Sequence, residues 1–220
     1  ELAPFLEHMK GQQITEKAML KFHTGTINHV NVAAVYSGVC KVNAAIAAQL
    51  LIDMFHVDLI INAGTAGGMK EGVQLFDTVI SERVIYHDVA DDILTDFHPW
   101  LKSNYFPADQ ELCAIARAYS RRSKPPVLFG TMVTGEQFIE DEKREEINQK
   151  FDPLSTDMET AGVAHVCYVN KIPFLAVRTI TDTVTHKGIE NFDKNCEAAS
   201  GISAKIVAGI VEQINQSLSE

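Results

Sequence analysis

The chain of 220 residues has little cysteine: Cys40, Cys113, Cys167 and Cys196 stand apart, with no CxxC pair among them. That spacing excludes a zinc knuckle and a thioredoxin-type redox motif. Free thiols in a chain of this size fit a reducing cytosol, and Cys167, on an apolar stretch, reads as a small core hydrophobe. Positive charge is scarce as well. Lys and Arg number 19 against 29 Asp and Glu, a formal charge of −10, which argues against a nucleic-acid partner held by phosphate neutralisation. No apolar run is long enough to span a bilayer and no signal peptide is seen, so no membrane partner is expected and the expected location is cytoplasmic. Neither a GxGxxG loop nor a GK[ST] loop occurs, so a dinucleotide or triphosphate is not implied. A linker, an internal repeat and a low-complexity segment are missing too. Residues 1–220 therefore read as a single domain with one substantial core. The start, Glu1-Leu2-Ala3-Pro4-Phe5-Leu6, reads as a helix with no strand ahead of it. Doubly wound domains usually begin on a strand, so a first strand is expected before Glu1.

What the chain does contain is a succession of strand-like and helix-like runs. Leu2 to about Lys10 has helical apolar spacing, ended by Gly11. Phe22–Ile27 and Val30–Tyr36 are β-type runs joined at Asn28-His29, a hairpin. An alanine-rich helix covers Val42–Phe55. Asp58–Asn62 reads as a strand buried on both faces, and Ala63–Met69, with three glycines, as the loop after it, where backbone can approach a ligand. Thr78–Ile85 is a strand. Asp91–Phe106, with Phe97, His98, Trp100, Tyr105 and Phe106, reads as an aromatic lid or subunit contact. Asp109–Tyr119 is helical, Pro125-Pro126 opens the strand Val127–Val133, and Glu140–Lys150 is a charged, solvated helix. Then come strand, helix and strand across Leu154–Asp182, a polar loop Thr183–Asn195, and a final helix from about Cys196 to Leu218. The expected fold is α/β: a three-layer αβα sandwich around a mixed, mostly parallel twisted sheet, enlarged by the early hairpin.

The stretch 154–182 organises the chemistry. Its two strands end in Asp157-Met158-Glu159 and in Thr181-Asp182, at the sheet edge where ligands bind in open α/β sheets. Two acids on one rim, from successive parallel strands, suit one small molecule approached from two sides. Phe138 is suited to stack on a flat ring, Glu159 to accept two sugar hydroxyl protons with Met158 packed beneath, and Asp182 to share a proton with a ring nitrogen. Together these fit a purine nucleoside. Glycosidic cleavage passes through an oxocarbenium-like sugar, which nearby carboxylates stabilise. The leaving purine needs a general acid, and the attacking water needs a third carboxylate as base. Plainer roles stay open at each position: Asp182 as a loop cap, Glu159 as an acid at a helix start, Arg178 as partner of a structural carboxylate, Phe138 and Phe192 as core aromatics, Thr65 as a turn residue, Glu1 as an exposed end. His87 and His98 read as structural or lid residues, with no metal-ligand spacing, and Lys41 as a solvent-facing loop residue.

With these residues in view the chain resembles the 5′-methylthioadenosine/S-adenosylhomocysteine nucleosidases of the nucleoside phosphorylase-like superfamily. The resemblance rests on SGVCKVNAA (37–45), INAGTAGG (61–68), GEQFI (135–139), DMETAGVAHVC (157–167), PFLAVRTITD (173–182) and NFD (191–193), in the family's order. It implies hydrolysis of the N-glycosidic bond to adenine and the thioribose, with water as nucleophile, no cofactor or metal, and a homodimer in which one subunit closes the other's site. It implies Asp182 as general acid at nitrogen 7 of adenine and Glu1 as the base that activates water. Glu159 and Met158 hold the ribose, with Asp157 behind them. Phe138 and the Ile139 backbone meet the base, and Phe192 covers it. Thr65, where the family usually has serine, lies with Ala66 and Gly67 near the ribose and water, while Arg178 organises the carboxylates and Thr181 accompanies Asp182. The chain departs from the family at Asp157, at Phe76, and most at 91–107, DDILTDFHPWLKSNYFP, where relatives carry a GY…GQ…P lid over the 5′ group. A phosphorylase of the same superfamily and a non-catalytic nucleoside-binding protein are the competing readings.

Overall fold

A computed structural model describes residues 1–98, 101–122, 127–139, 141–186 and 189–217. Helix α1 (Leu2–His8) stops at Met9, which is already extended, and not at Gly11. The strand that follows, β1 (Lys10–Lys17), is exposed at every position; with no buried face it has no alternation to read. β2 (Leu20–Ile27) and β3 (Val30–Val35) form the expected hairpin. Asn28 and His29 turn it with φ of 49° and 69°, the doubly left-handed geometry of a type I′ turn. These three strands make an antiparallel sheet of their own. The hairpin therefore does not enlarge the central sheet: among the described residues, β3 pairs with β2 alone.

Helix α2 (Lys41–Phe55) buries Ala44, Ala47 and Ala48. β4 (Ile60–Gly68) runs straight through the glycine stretch expected to be a loop. After β5 (Thr78–Tyr86) the aromatic segment holds the five-residue helix α3 (Ile93–Phe97) and β6 (Tyr105–Pro107); Trp100 lies outside the described residues. Leu101 and Phe106 are buried, so this segment is partly core and not only a lid. α4 (Gln110–Ser120) is capped by Asp109, whose carboxylate accepts the Leu112 N–H at 3.0 Å. β7 (Leu128–Thr134), α5 (Asp141–Phe151), β8 (Ser155–Asp157), α6 (Thr160–Asn170) and β9 (Phe174–Asp182) follow; Pro125, Pro126 and Glu140 fall outside the described residues. The last helix, α7 (Ile189–Ser217), begins seven residues before Cys196, inside the stretch expected to be a loop; Leu218 lies beyond the described residues. Asn195 is drawn into that helix with its amide donating to Thr181 O at 2.9 Å.

The main sheet has the order β6-β5-β7-β8-β4-β9, and β5 also pairs with β9. The sheet thus closes: β5, β7, β8, β4 and β9 form a five-stranded ring with β6 outside it. An open three-layer sandwich is corrected on this point, although helices do pack on it from two sides. Ala161, Ala164 and Cys167 of α6 join Ala44 and Ala48 of α2 in one core. Leu112 and Ala116 of α4 join Ile206, Ile210 and Val211 of α7 in another. Thr78 and Thr179 share a buried hydroxyl hydrogen bond of 2.8 Å where β5 meets β9. The strands are mixed in direction: β4–β9, β5–β7 and β7–β8 are parallel, β8–β4 and β5–β9 antiparallel. The acids therefore do not come from neighbouring parallel strands, because β4 lies between β8 and β9. Gly67 of β4 pairs with Thr156 on one side and Asp182 on the other, which brings the two strand ends together. Between β3 and the start of β4 lies a cavity of about 1010 Å³, floored by Val207 and Val211 of α7. No helix among the described residues is long and apolar enough to cross a membrane.

Candidate active site

Two threonines and an asparagine set the turn between β8 and α6. Asp157 Oδ1 accepts from Thr134 Oγ1 at 2.8 Å and from the N–H groups of Glu159 (3.0 Å) and Thr160 (2.9 Å). Thr160 Oγ1 bonds Asp157 Oδ2 and lies 2.8 Å from Asn62 Oδ1. The Asp157 carboxylate is buried and engaged by protein donors, so it fixes the first turn of α6. Asn62 and Thr134 were not singled out from sequence; each is an ordinary strand residue until the partner strand is known.

Arg178, on β9 and 2 % exposed, ties the acids together. Its Nη2 donates to Asn62 Oδ1 (2.7 Å), its Nη1 to Thr65 O (3.0 Å) and its Nε to Thr160 Oγ1 (3.1 Å). Glu159 Oε2 and Asp157 Oδ2 each lie 3.5 Å from the guanidinium. Burial alone would disfavour its charge, but Asp157, Glu159 and Glu1 outweigh that and hold it cationic. Glu159 accepts the Cys40 N–H at 3.0 Å through its other oxygen. Burial raises the Glu159 carboxyl above its ordinary range, with Arg178 opposing. Cys40 holds that N–H in place with φ 79° and ψ 160°, a conformation that L side chains rarely adopt.

Glu1 reaches the same cluster from the other side. Its Oε1 accepts from both the N–H and the hydroxyl of Thr65, each at 2.7 Å. A Cβ on Gly64 would sit 2.8 Å from Glu1 Oε1 and 2.9 Å from Arg178 Nη1, so the base candidate and the arginine press on bare backbone. The cavity beside β3 includes Glu1, Glu159 and Arg178 in its lining but not Asp182. Asp182 lies along β4, where a Cβ on Gly67 would be 3.0 Å from Asp182 Oδ2. The acid is 2 % exposed. Burial raises its carboxyl, against the Thr181 hydroxyl at 3.1 Å and Arg144, a direction that keeps a proton available. Thr181 Oγ1 also donates to Ala66 O at 3.3 Å.

Phe138 is 41 % exposed, and Phe192, on the first turns of α7, meets it edge to face at 6.4 Å between ring centres. Ile139 is buried with Met69, Val133 and Phe151. Met158 is half-buried. Lys41 is not a free loop residue: it opens α2 and is paired with both oxygens of Asp88 at 2.9 Å. Phe106 stacks on His165 at 4.8 Å and sits edge-on to Tyr86 at 5.8 Å, an aromatic wall beside the divergent 91–107 segment.

Comparison with known proteins gives the family. The family model described as the phosphorylase superfamily matches residues 1–212. The 5′-methylthioadenosine/S-adenosylhomocysteine nucleosidase of Bacillus velezensis is 38% identical over 205 residues, covering 90% of this chain and 88% of the relative. That of Bacillus subtilis is 36% identical over 217 residues, covering 96% and 92%. Among solved structures, the S. pneumoniae nucleosidase with the transition-state inhibitor MT-ImmA aligns with a TM-score of 0.88 at 29% identity, over 97% of this chain and 94% of that one. The Colwellia psychrerythraea nucleosidase in complex with adenine aligns with a TM-score of 0.86 at 30% identity, over 96% and 90%. By motif, sequence and fold, the chain belongs to the phosphorylase superfamily and, within it, to the family of 5′-methylthioadenosine/S-adenosylhomocysteine nucleosidases.

Proposed function

We propose that the chain hydrolyses the N-glycosidic bond of 5′-methylthioadenosine and S-adenosylhomocysteine, releasing adenine and the thioribose. The observation that carries the reading is the short run Thr65-Ala66-Gly67 of β4, with Glu1 bonded to its first residue and Asp182 pressed against its last. Two strand residues span about 7 Å, enough for a ribose and the imidazole ring of a purine to lie between base and acid. Glu1, as carboxylate, takes a proton from water while the water oxygen bonds to the anomeric carbon. The bond from that carbon to the purine breaks, and its electron pair goes to the base. Asp182, neutral, gives its proton to nitrogen 7. Solvent then restores both groups. Glu159, braced by Arg178 and the Cys40 N–H, receives the ribose hydroxyls, and Phe138 with Phe192 covers the purine.

The test is adenine release from methylthioadenosine in phosphate-free buffer. Asp182→Asn is expected to lower turnover by at least about 10²-fold, since an amide has no proton to give. Turnover that requires phosphate would make the chain a phosphorylase. Adenine binding with no release would make it a binding protein.

Three further points belong to the same proposal. Residues 1–220 act as one domain, a reading supported by the family match over residues 1–212. The chain works as a homodimer, supported by Val39, Val42 and Ile46, which α2 and its approach leave exposed; a monomer by light scattering at micromolar concentration would count against it. Its four free thiols fit a reducing, cytoplasmic setting.

A further inference from the structure

Helix α5 reads as charged and solvated, yet Arg144 is turned inward and 5 % exposed. Burying a guanidinium is costly unless its donors are all met, and among the described residues they are not. Nη1 donates to Gly68 O and lies 3.6 Å from Met69 Sδ; Nη2 reaches Ile139 O at 3.4 Å. Nε finds no partner among the described residues. Among the described residues the one carboxylate within 4.0 Å is Asp182, whose Oδ2 is 3.8 Å from Nη2. Arg144 therefore touches the end of β4, the loop that carries Phe138, and the acid, and it remains under-compensated where a negative charge would develop.

We propose that Arg144 is a positioning residue for the proton transfer, its guanidinium stabilising the carboxylate left on Asp182 when the proton passes to the purine. The inference rests on Asp182 being the acid. In that step the O–H bond of Asp182 breaks, the N–H bond at nitrogen 7 forms, and one negative charge stays on the buried carboxyl group. Interactions stronger in the transition state than before it are the ones that raise the rate. The other described groups near Asp182 are a hydroxyl, bare backbone, a methyl, an amide and an imidazole. β9 contributes the Thr181 hydroxyl at 3.1 Å, β4 the bare Gly67, and β8 the methyl of Thr156. α7 sends the Asn195 amide to Thr181 O, and His186 turns to the Thr183 hydroxyl at 3.3 Å.

The experiment is the pH profile of kcat/KM for methylthioadenosine in the wild-type chain, Arg144→Gln and Arg144→Lys. The protonated acid is the active form, so activity falls as pH rises through its titration. A neighbouring arginine lowers a carboxyl pKa by about 1–3 units. Its loss in Arg144→Gln is expected to move the alkaline limb up by that amount, with at least a tenfold lower plateau; Arg144→Lys is expected to return the limb toward the wild-type position. An unmoved limb with the same loss at every pH would make Arg144 a structural strut and overturn the proposal. If Arg144→Gln does not melt cooperatively, Arg144→Met removes the charge together with its desolvation cost and carries the same comparison. Failure of both to fold also assigns a structural role and overturns it. Asp182→Asn, run in parallel, separates the two claims. Retained turnover there removes Asp182 as the acid, whereas lost turnover with an unmoved Arg144→Gln limb removes only the role of Arg144.

Discussion

Gly64→Ala puts the geometry of the base under direct load. Gly64 is not among the residues with positive φ, so alanine is compatible with its backbone and would by itself add about 0.4–1 kcal/mol by restricting the unfolded chain. Against that, the new methyl would sit 2.8 Å from Glu1 Oε1 and 2.9 Å from Arg178 Nη1, well inside ordinary contact. Arg178 is locked by Asn62, Thr65 and Thr160, so the give must come from Glu1, whose carboxylate would leave its two 2.7 Å bonds to Thr65. Overpacking of this kind costs about 1–3 kcal/mol, which leaves a net loss of about 0–2.5 kcal/mol. For a domain of this size that lowers the melting temperature by at most about 10 °C. Turnover should fall much further, by about 10²-fold or more, because the water loses its general base. The assay is adenine release beside a thermal melt. A variant with wild-type kcat/KM would show that Glu1 does not need this seat, and the assignment of Glu1 as base would fall.

Two further perturbations test neighbouring features. Cys40→Gly relieves a strained backbone of φ 79° and ψ 160° and should raise stability by about 1–3 kcal/mol while leaving the N–H to Glu159 in place; a lower melting temperature would refute the strain. Glu159 is held above its ordinary value because burial outweighs Arg178, so the folded chain keeps this proton more tightly than the unfolded chain does. Stability then falls as pH rises from the unfolded value through the raised folded one. Glu159→Gln should flatten that fall, and equal slopes in the two proteins by denaturant titration across that window would contradict the direction given for Glu159.

What could be read from sequence was local. Asn28-His29 announced its hairpin through turn chemistry, and the DME run announced a strand end followed by a helix. The glycines of 63–69 misled, since glycine is ordinarily read as punctuation. Here Gly64 and Gly67 sit inside a strand because Glu1, Arg178 and Asp182 leave no room for a Cβ. Ring closure was invisible: the Thr78–Thr179 bond joins residues 101 apart, and no local pattern encodes that pairing. The polar residues after Asp182 hid the first turns of α7, whose face is set by the Asn195 bond to β9. Arg144 was lost in the run EDEKREE, where a helix charged all round gives no sign of which residue turns inward.

The five-stranded ring resembles a cask, with Arg178 and Asp182 on a stave, β9, that is bonded along both flanks. Of the divergent segment 91–107, β6 lies outside the hoop along β5. Its replacement need not shift a single stave. A lineage is thereby free to exchange residues along the outer strand while the stave that carries Arg178 and Asp182 stays as it was.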